Sequence, residues 1–461
     1  MKDSFMNGLL TVAGKMQSNP VLSAIKDGFI DIMPVTIMGS FCTLFQFIIS
    51  THAEGYISLA NVPGMAWLEV LTPIWSTANY GCMNFMAVMV CFMVSMHFCE
   101  NIGHPGDKTA PAVALACFVT LMDTTATGTM KSAALAEISN GALALNGTGE
   151  EDVAIAIGSA VASTYTKADG LFTALIVGIL ATLLYVKLVT SGKLTIKLPD
   201  SVPPNVSQSF AVLFPTVITV FVFAVVGFIF SQLFGLNFFA LISAIMAPVQ
   251  AIMTGLPGYL LVVLIMMLLW WFGIHGPNVM SAITTPFMNT AWAANQAIFE
   301  QIGDTAYKGG STGYQIISAP FGNVFFSHTG SGITGGLIIS ILLFSKRDDF
   351  KAIAKLAIPC GIFNINEPII FGIPMVMNPL LGIPFFLAPV ASVVVGYILT
   401  RIGLCPIMVI NAPWTTPTGI LGFLASGAKL MGGLTQLLAF ATSILIYAPF
   451  VIMANAQTAE A

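Results

Sequence analysis

The chain has 461 residues, 56% hydrophobic and 8% charged, with a formal net charge of −4. Soluble domains carry about 25% charged residues, so a deficit spread along the whole chain excludes a soluble protein and specifies an all-α polytopic membrane protein. No Lys/Arg stripe marks a nucleic-acid surface, and no Walker motif, dinucleotide fingerprint or Ser-His-Asp arrangement marks an ATPase or hydrolase.

At roughly 20 residues per crossing, the length holds about ten transmembrane helices. Residues 1–27 form a lead-in. There Phe5, Met6, Leu9, Leu10, Val12, Ala13 and Met16 recur at helical spacing between Lys2, Asn7, Lys15 and Gln17, the pattern of an amphipathic helix on the inner membrane surface. No cleavage site follows a short apolar core, so this is not a secretory leader. Spans are expected at about 28–50, 79–99, 109–123 and 171–189. Residues 123–152 read as a solvated loop ending Glu150-Glu151-Asp152. Lys187, Lys193 and Lys197 then meet Pro199, Pro203 and Pro204; this linker separates a 28–197 membrane bundle from a 198–461 half.

Further spans are expected at about 209–231, 236–254, 258–273, 331–345, 380–400 and 435–454. Residues 275–328 are too polar to span and too apolar for a free loop. They read as re-entrant or interfacial backbone, tolerated where it lines a cavity. The count passes the positive-inside test. Lys2, Lys15 and Lys26 place the N-terminus inside; Lys187–Lys197 and Lys346–Lys355 return to that side after each set of four spans. Both termini are then cytoplasmic, with Arg401 the one dissenting charge.

The seven cysteines include no CxxC and sit in apolar runs, so they read as small buried hydrophobes. The five histidines show no HxxxH spacing, so no metal site and no cofactor is expected.

Four polar interruptions carry the chemistry. Trp270-Trp271-Phe272-Gly273-Ile274-His275-Gly276-Pro277-Asn278 sets an imidazole between glycines and a proline, which breaks a helix at membrane depth and lets its ends face a ligand. Ala319-Pro320-Phe321-Gly322-Asn323 is a second break, with His328 close by. Asn364-Ile365-Asn366-Glu367-Pro368-Ile369-Ile370-Phe371-Gly372 is the third. A carboxylate in so apolar a stretch is costly unless it meets a partner, a cavity or a substrate, and no Lys or Arg lies within ten residues of Glu367. The fourth, Asn411-Ala412-Pro413-Trp414-Thr415-Thr416-Pro417-Thr418-Gly419, mixes an indole with hydroxyls and amides. That mix suits a sugar, whose flat face stacks while its hydroxyls hydrogen-bond; it also suits an interfacial aromatic belt. Lys167 and Asp169 could pair with each other or cap a helix, and Gln46 suits an interhelical hydrogen bond.

The Gly273-Ile274-His275-Gly276 break, the Asn364–Gly372 stretch with Asn378-Pro379 and Ile383-Pro384 after it, and Pro413-Trp414-Thr415-Thr416-Pro417 resemble the membrane-embedded IIC component of the bacterial phosphoenolpyruvate-dependent sugar phosphotransferase system, in its lactose/cellobiose/diacetylchitobiose branch. The resemblance covers nearly the whole chain. It implies a homodimer in the bacterial cell membrane, with an N-terminal bundle at the dimer interface. It further implies a C-terminal sugar-binding transport domain with re-entrant hairpins, and phosphorylation of the sugar by a phosphocysteine on a IIB domain. IIB is in turn served by IIA and HPr. No IIA or IIB domain is expected within this chain.

The resemblance carries the sugar's 6-hydroxyl to Glu367 and His275, and aromatic contacts to Trp270 and Trp414. Asn366 and Asn323 are expected to fix the ring, with Asn364, Asp169, Lys167 and Gln46 as further candidates. Phosphoryl transfer needs positioning and charge management above all, and a phosphorylated sugar beside Glu367 is repelled. The rival reading is an ion-coupled secondary sugar transporter with Glu367 as its proton or sodium site.

Overall fold

The computed structural model describes residues 11–51, 58–131, 152–196, 198–199, 201–235, 237–373 and 375–455. The Phe5–Leu10 half of the expected amphipathic helix, the Glu150-Glu151 pair and Lys197 lie outside them. Residues 11–17 are helical (α1).

Each of the ten expected spans coincides with a helix, but several differ from expectation in length. The first begins at Pro20, earlier than its hydropathy suggests, because Asn19 caps it: its Oδ1 accepts the Val21 and Leu22 amides at 3.0 and 3.1 Å, and Pro20 fits a first turn that needs no donor. This helix, α2 (Pro20–Phe45), continues as a π-turn, Gln46–Ser50. It packs against α4 (Met86–Asn101), which in turn packs on α5 (Thr109–Thr120) and α6 (Leu171–Thr190); α3 (Thr72–Met83) leads into α4. Small residues set the approach: a Cβ on Gly28 would lie 2.7 Å from a Val94 methyl, and one on Gly39 2.7 Å from Met83. Asp31 finds its partner across this contact, its Oδ2 lying 2.7 Å from His97 Nε2.

Between α5 and α6 the expected loop contains a two-stranded antiparallel ribbon. β1 (Thr125–Lys131) pairs with β2 (Asp152–Gly158), Thr125 opposite Gly158 and Lys131 opposite Asp152. It is a small exception to an otherwise helical protein.

After the lysine/proline linker come α7 (Pro204–Ala211) and α8 (Leu213–Phe234). α8 packs back onto α5 and α6. α9 (Phe238–Thr254) and α10 (Leu256–Trp271), expected as separate spans, form a pair bent by 70°. The stretch expected to be re-entrant or interfacial begins with a long helix that is not apolar enough to count as a span. α11 (Gly276–Ile302) is a 27-residue helix that leans on α2 and α10 and buries most of one face. Its polar residues are spent on protein contacts, which a hydropathy average cannot show. The irregular backbone comes after Gly303 and between α12 (Ala319–Phe325) and α13 (Thr334–Phe344). α14 (Asp348–Ile362), α15 (Glu367–Gly372), α16 (Pro379–Arg401), α17 (Ile420–Ala425) and α18 (Leu430–Ala454) complete the chain.

Among the described residues, six helical segments are long and apolar enough to cross a membrane, or seven with the bent pair. α5 and α13 fall short: 11–12 residues reach roughly 17 Å of a hydrocarbon core of about 30 Å. The buried apolar residues fall into two clusters. One is built on α2, α4, α5 and α6; the other fills the space among α10, α11, α13, α16 and α18. Five of the seven cysteines are buried.

Candidate functional site

The chain breaks after α10 at Gly273, whose φ of +80° is left-handed and open to glycine without strain. His275 then takes the N-cap of α11. Its Nδ1 accepts the Asn278 amide N–H at 3.2 Å. The neutral ring therefore carries its proton on Nε2, the atom left to meet a ligand. Trp270 places its indole 4.5 Å from the imidazole, centroid to centroid, and 6.5 Å from the Phe371 ring of α15. Trp270 is only 2% exposed. It backs His275 and does not offer a face for stacking, contrary to its expected role.

Glu367 opens α15, and Pro368 follows in the first turn, where its missing N–H costs nothing. The carboxylate is exposed, and no cation among the described residues pairs with it. Its helix lies beside the His275 break, because the Trp270 ring meets both the imidazole and the Phe371 ring, four residues after Glu367. The burial cost expected from the apolar sequence is therefore avoided by position: the break turns the acid into open space.

The two asparagines before it do different work from Glu367. Asn364 is 3% exposed and left-handed, φ +67°, a conformation asparagine tolerates better than most residues. Its Oδ1 accepts the Thr329 N–H at 2.6 Å, and its Nδ2 donates to the carbonyls of Trp414 and, at 2.9 Å, Thr416. One buried amide thus joins three breaks. Asn366, also buried, donates from Nδ2 to the Ser331 carbonyl at 2.8 Å. The 329–331 turn presses so closely that a Cβ on Gly330 would sit 2.4 Å from the Cβ of Asn366.

Asn323, on α12, donates to Asn411 Oδ1 at 3.3 Å. Trp414 is 45% exposed and free to present its ring. The structure therefore gathers His275, Glu367 and Trp414 around loops pinned by Asn364, Asn366 and Asn323. The last three act first as fasteners.

Lys167, Asp169 and Gln46 belong elsewhere. Lys167 and Asp169 lie at the short turn before α6, where no ion pair joins them. Gln46 begins the π-turn, and its carbonyl accepts from Ser50 and Thr51. Sequence reasoning missed the 329–336 turn, although its run of Thr, Gly and Ser was visible. It also missed a buried network joining α2 and α3 to α11. Ser40 Oγ donates to Gln296 Oε1 at 3.1 Å, Gln296 Nε2 donates to Thr43 Oγ1 at 2.9 Å, and Asn79 Nδ2 to Thr43 Oγ1 at 2.7 Å. Thr43 Oγ1 and Gln296 Nε2 both reach Glu300 Oε1, at 3.0 and 3.1 Å.

Comparison with known proteins gives a consistent result. The profile of the family described as Phosphotransferase system, EIIC, matches residues 26–389. The PTS system cellobiose-specific EIIC component of Lactococcus lactis subsp. lactis (strain IL1403) is 31% identical, over 97% of this chain and 96% of that protein. The PTS system oligo-beta-mannoside-specific EIIC component of Bacillus subtilis (strain 168) is 30% identical, over 96% and 91%. The crystal structure of ChbC, the IIC component of the N,N'-diacetylchitobiose-specific phosphotransferase system, superimposes with a TM-score of 0.81. It shares 29% identity and covers 97% of this chain and 96% of that one.

Proposed function

The chain belongs to the EIIC family of phosphotransferase systems and is a multi-pass membrane protein; from that premise we propose that it is the permease for a β-linked disaccharide of the cellobiose type. Its relatives of that name support the substrate class. The observation that carries the reading is the exposed Glu367 carboxylate on a helix that shares Trp270 with His275, with an exposed indole, Trp414, on a loop fastened to the same stretch by Asn364.

A sugar stacks on Trp414 and turns a primary hydroxyl toward Glu367. The carboxylate accepts that hydrogen bond and His275 Nε2 donates to the same oxygen, which orients it for attack on a phosphocysteine of a separate IIB. IIA and HPr recharge IIB. Transfer to the 6-hydroxyl places a phosphate, roughly doubly charged, beside Glu367, and the repulsion favours release to the cytoplasm. In this reading the chain works as a homodimer in the bacterial cell membrane, both termini cytoplasmic. Residues 28–197 form the scaffold and 198–461 carry the sugar.

The test uses membrane vesicles holding the full chain, labelled cellobiose and related β-disaccharides, with and without IIB and phosphoenolpyruvate. Phosphorylated sugar accumulates only with IIB, and Glu367→Gln abolishes it. Accumulation of unmodified sugar driven by an ion gradient, without IIB, overturns the proposal in favour of a secondary transporter.

A further inference from the structure

A histidine stands at the start of the turn that meets Asn364 and Asn366. His328 follows α12 and is fully buried, 0% exposed. Its ring meets Phe440 of α18 edge-on, with 6.1 Å between centroids. Neither Nδ1 nor Nε2 has a hydrogen-bond partner, and among the described residues no other buried side chain leaves two polar atoms unmet. The Val324 carbonyl acts on the ring from one turn back. That oxygen already receives the Gln436 amide at 3.1 Å and is not aligned for a hydrogen bond with either ring nitrogen. An apolar side chain would fill this place without the cost of unpaired polar atoms.

The backbone that follows is strained. Thr329, Gly330, Gly332 and Ile333 have φ of +56°, +86°, +81° and +51°. Thr329 and Ile333 are the only β-branched residues in the left-handed region among the described residues, and a branched Cβ tolerates that region least. Strain of this kind persists only where neighbours hold it, and it clusters at switching elements. Here Asn364 Oδ1 accepts the Thr329 N–H at 2.6 Å, Asn366 Nδ2 donates to the Ser331 carbonyl at 2.8 Å, and the Tyr447 hydroxyl donates to the Gly332 carbonyl at 2.8 Å. Two of these three holders come from the stretch that ends in Glu367. An unmet imidazole and a strained turn thus coincide at the fasteners of the site.

A permease opens its site to each side of the membrane in turn, so this turn has a second set of surroundings. We propose that the 328–333 turn is a two-state element and His328 its positioning residue: in the second state the ring takes the hydrogen bonds it lacks here, the turn relaxes, and the Asn364–Glu367 stretch shifts with it. The polar ring costs free energy in the state described here and gains it in the other, which keeps the two close in energy. His328 acts on Glu367 through the turn and touches no sugar. The inference rests on the permease reading only for the existence of a second state.

The test compares wild type with His328→Phe and His328→Leu in the purified full-length protein, by hydrogen exchange of the peptide spanning residues 326–336 and by thermal melting. Removing the ring nitrogens favours the state in which they are unmet. Exchange in the turn slows about tenfold, and the melting temperature rises by a few degrees, because apolar atoms replace unpaired polar ones. His328→Gln, which keeps a donor and an acceptor, exchanges as wild type does. Asn366→Ala, which frees Ser331 from its holder, speeds the same exchange. With IIB and phosphoenolpyruvate, the apolar variants lower kcat for cellobiose phosphorylation about tenfold. His328→Leu decides the matter if the phenyl ring is too large to fit. If both apolar variants melt below wild type, or if exchange in the turn is unchanged, His328 is a packing residue and the proposal is overturned. Slower exchange with kcat unchanged overturns it as well. If wild type phosphorylates no β-disaccharide, the sugar reading fails by itself, and exchange and melting still decide the turn.

Discussion

Glu367 and Glu300 are two exposed acids in a chain with few charges, and their surroundings are opposite. Glu300 receives the Thr43 hydroxyl and the Gln296 amide, and through them belongs to a network that fastens α11 to α2 and α3. Glu367 receives no ion pair among the described residues and is exposed at the start of a helix that meets His275 through Trp270. A polar group whose hydrogen bonds are met by its neighbours holds structure. One whose bonds are left open, on a scaffold fixed by others, is poised for a ligand. The same division runs through the Asn364–Glu367 stretch: the asparagines are spent on the loops and the acid is not.

This contrast can be broken by substitution. The largest effect belongs to Glu367→Gln. Sugar phosphorylation through IIB is expected to fall about 1,000-fold, ~4 kcal/mol of transition-state stabilisation. The melting temperature should stay within about 1 °C, as for an exposed side chain that bonds nothing. A drop in melting temperature as large as the loss of activity would make Glu367 a structural residue after all.

Asn364→Ala attacks the fastener. It leaves the Thr329 N–H and the Trp414 and Thr416 carbonyls without their amide partner. We expect a stability loss of about 3 kcal/mol in denaturation of the detergent-solubilised protein, from buried groups left unpaired. Sugar affinity should weaken with it, because the Trp414 loop loses its anchor. Asn364→Gly relieves the left-handed backbone but not the lost bonds, so it should recover only part of the stability; full recovery would assign the effect to backbone strain alone.

Trp414→Ala should weaken sugar binding about tenfold, ~1.4 kcal/mol, with little change in stability, whereas Trp270→Ala should destabilise because that indole is buried. Equal behaviour of the two would erase the distinction between wall and platform. The smallest effect is expected at the network. Gln296→Leu should cost about 1 kcal/mol, the usual scale for interhelical hydrogen bonds within membranes, and leave transfer rates within about threefold. A loss of transfer comparable to that of Glu367→Gln would mean that the network takes part in the chemistry.

Much of this was legible before folding. The charge deficit set the membrane class, and the Gly, Pro and Asn interruptions marked the breaks that surround the site, except the 329–336 turn against Asn364 and Asn366. His275, Glu367 and Trp414 stood out because each is a polar or amphipathic group at a break in apolar sequence. Trp270 misled because exposure is decided by what packs on a helix end, and Phe371 comes from a segment about 100 residues away. The 275–302 stretch was legible as too polar for an ordinary span, but the partners of its polar residues were not. Its polar residues look too wet for a membrane until Thr43, Ser40 and the Gln315 backbone meet them.

The sequence by itself determined that the chain is a bundle of apolar helices with polar breaks, because hydropathy and helix-stopping residues act locally. Tertiary structure decided which polar groups at those breaks are consumed and which stay open. Hydrogen bonds such as Asn364 to Trp414, or Thr43 to Glu300, join residues far apart in the chain. Only their geometry shows that Glu300 is held and Glu367 is free to meet a ligand.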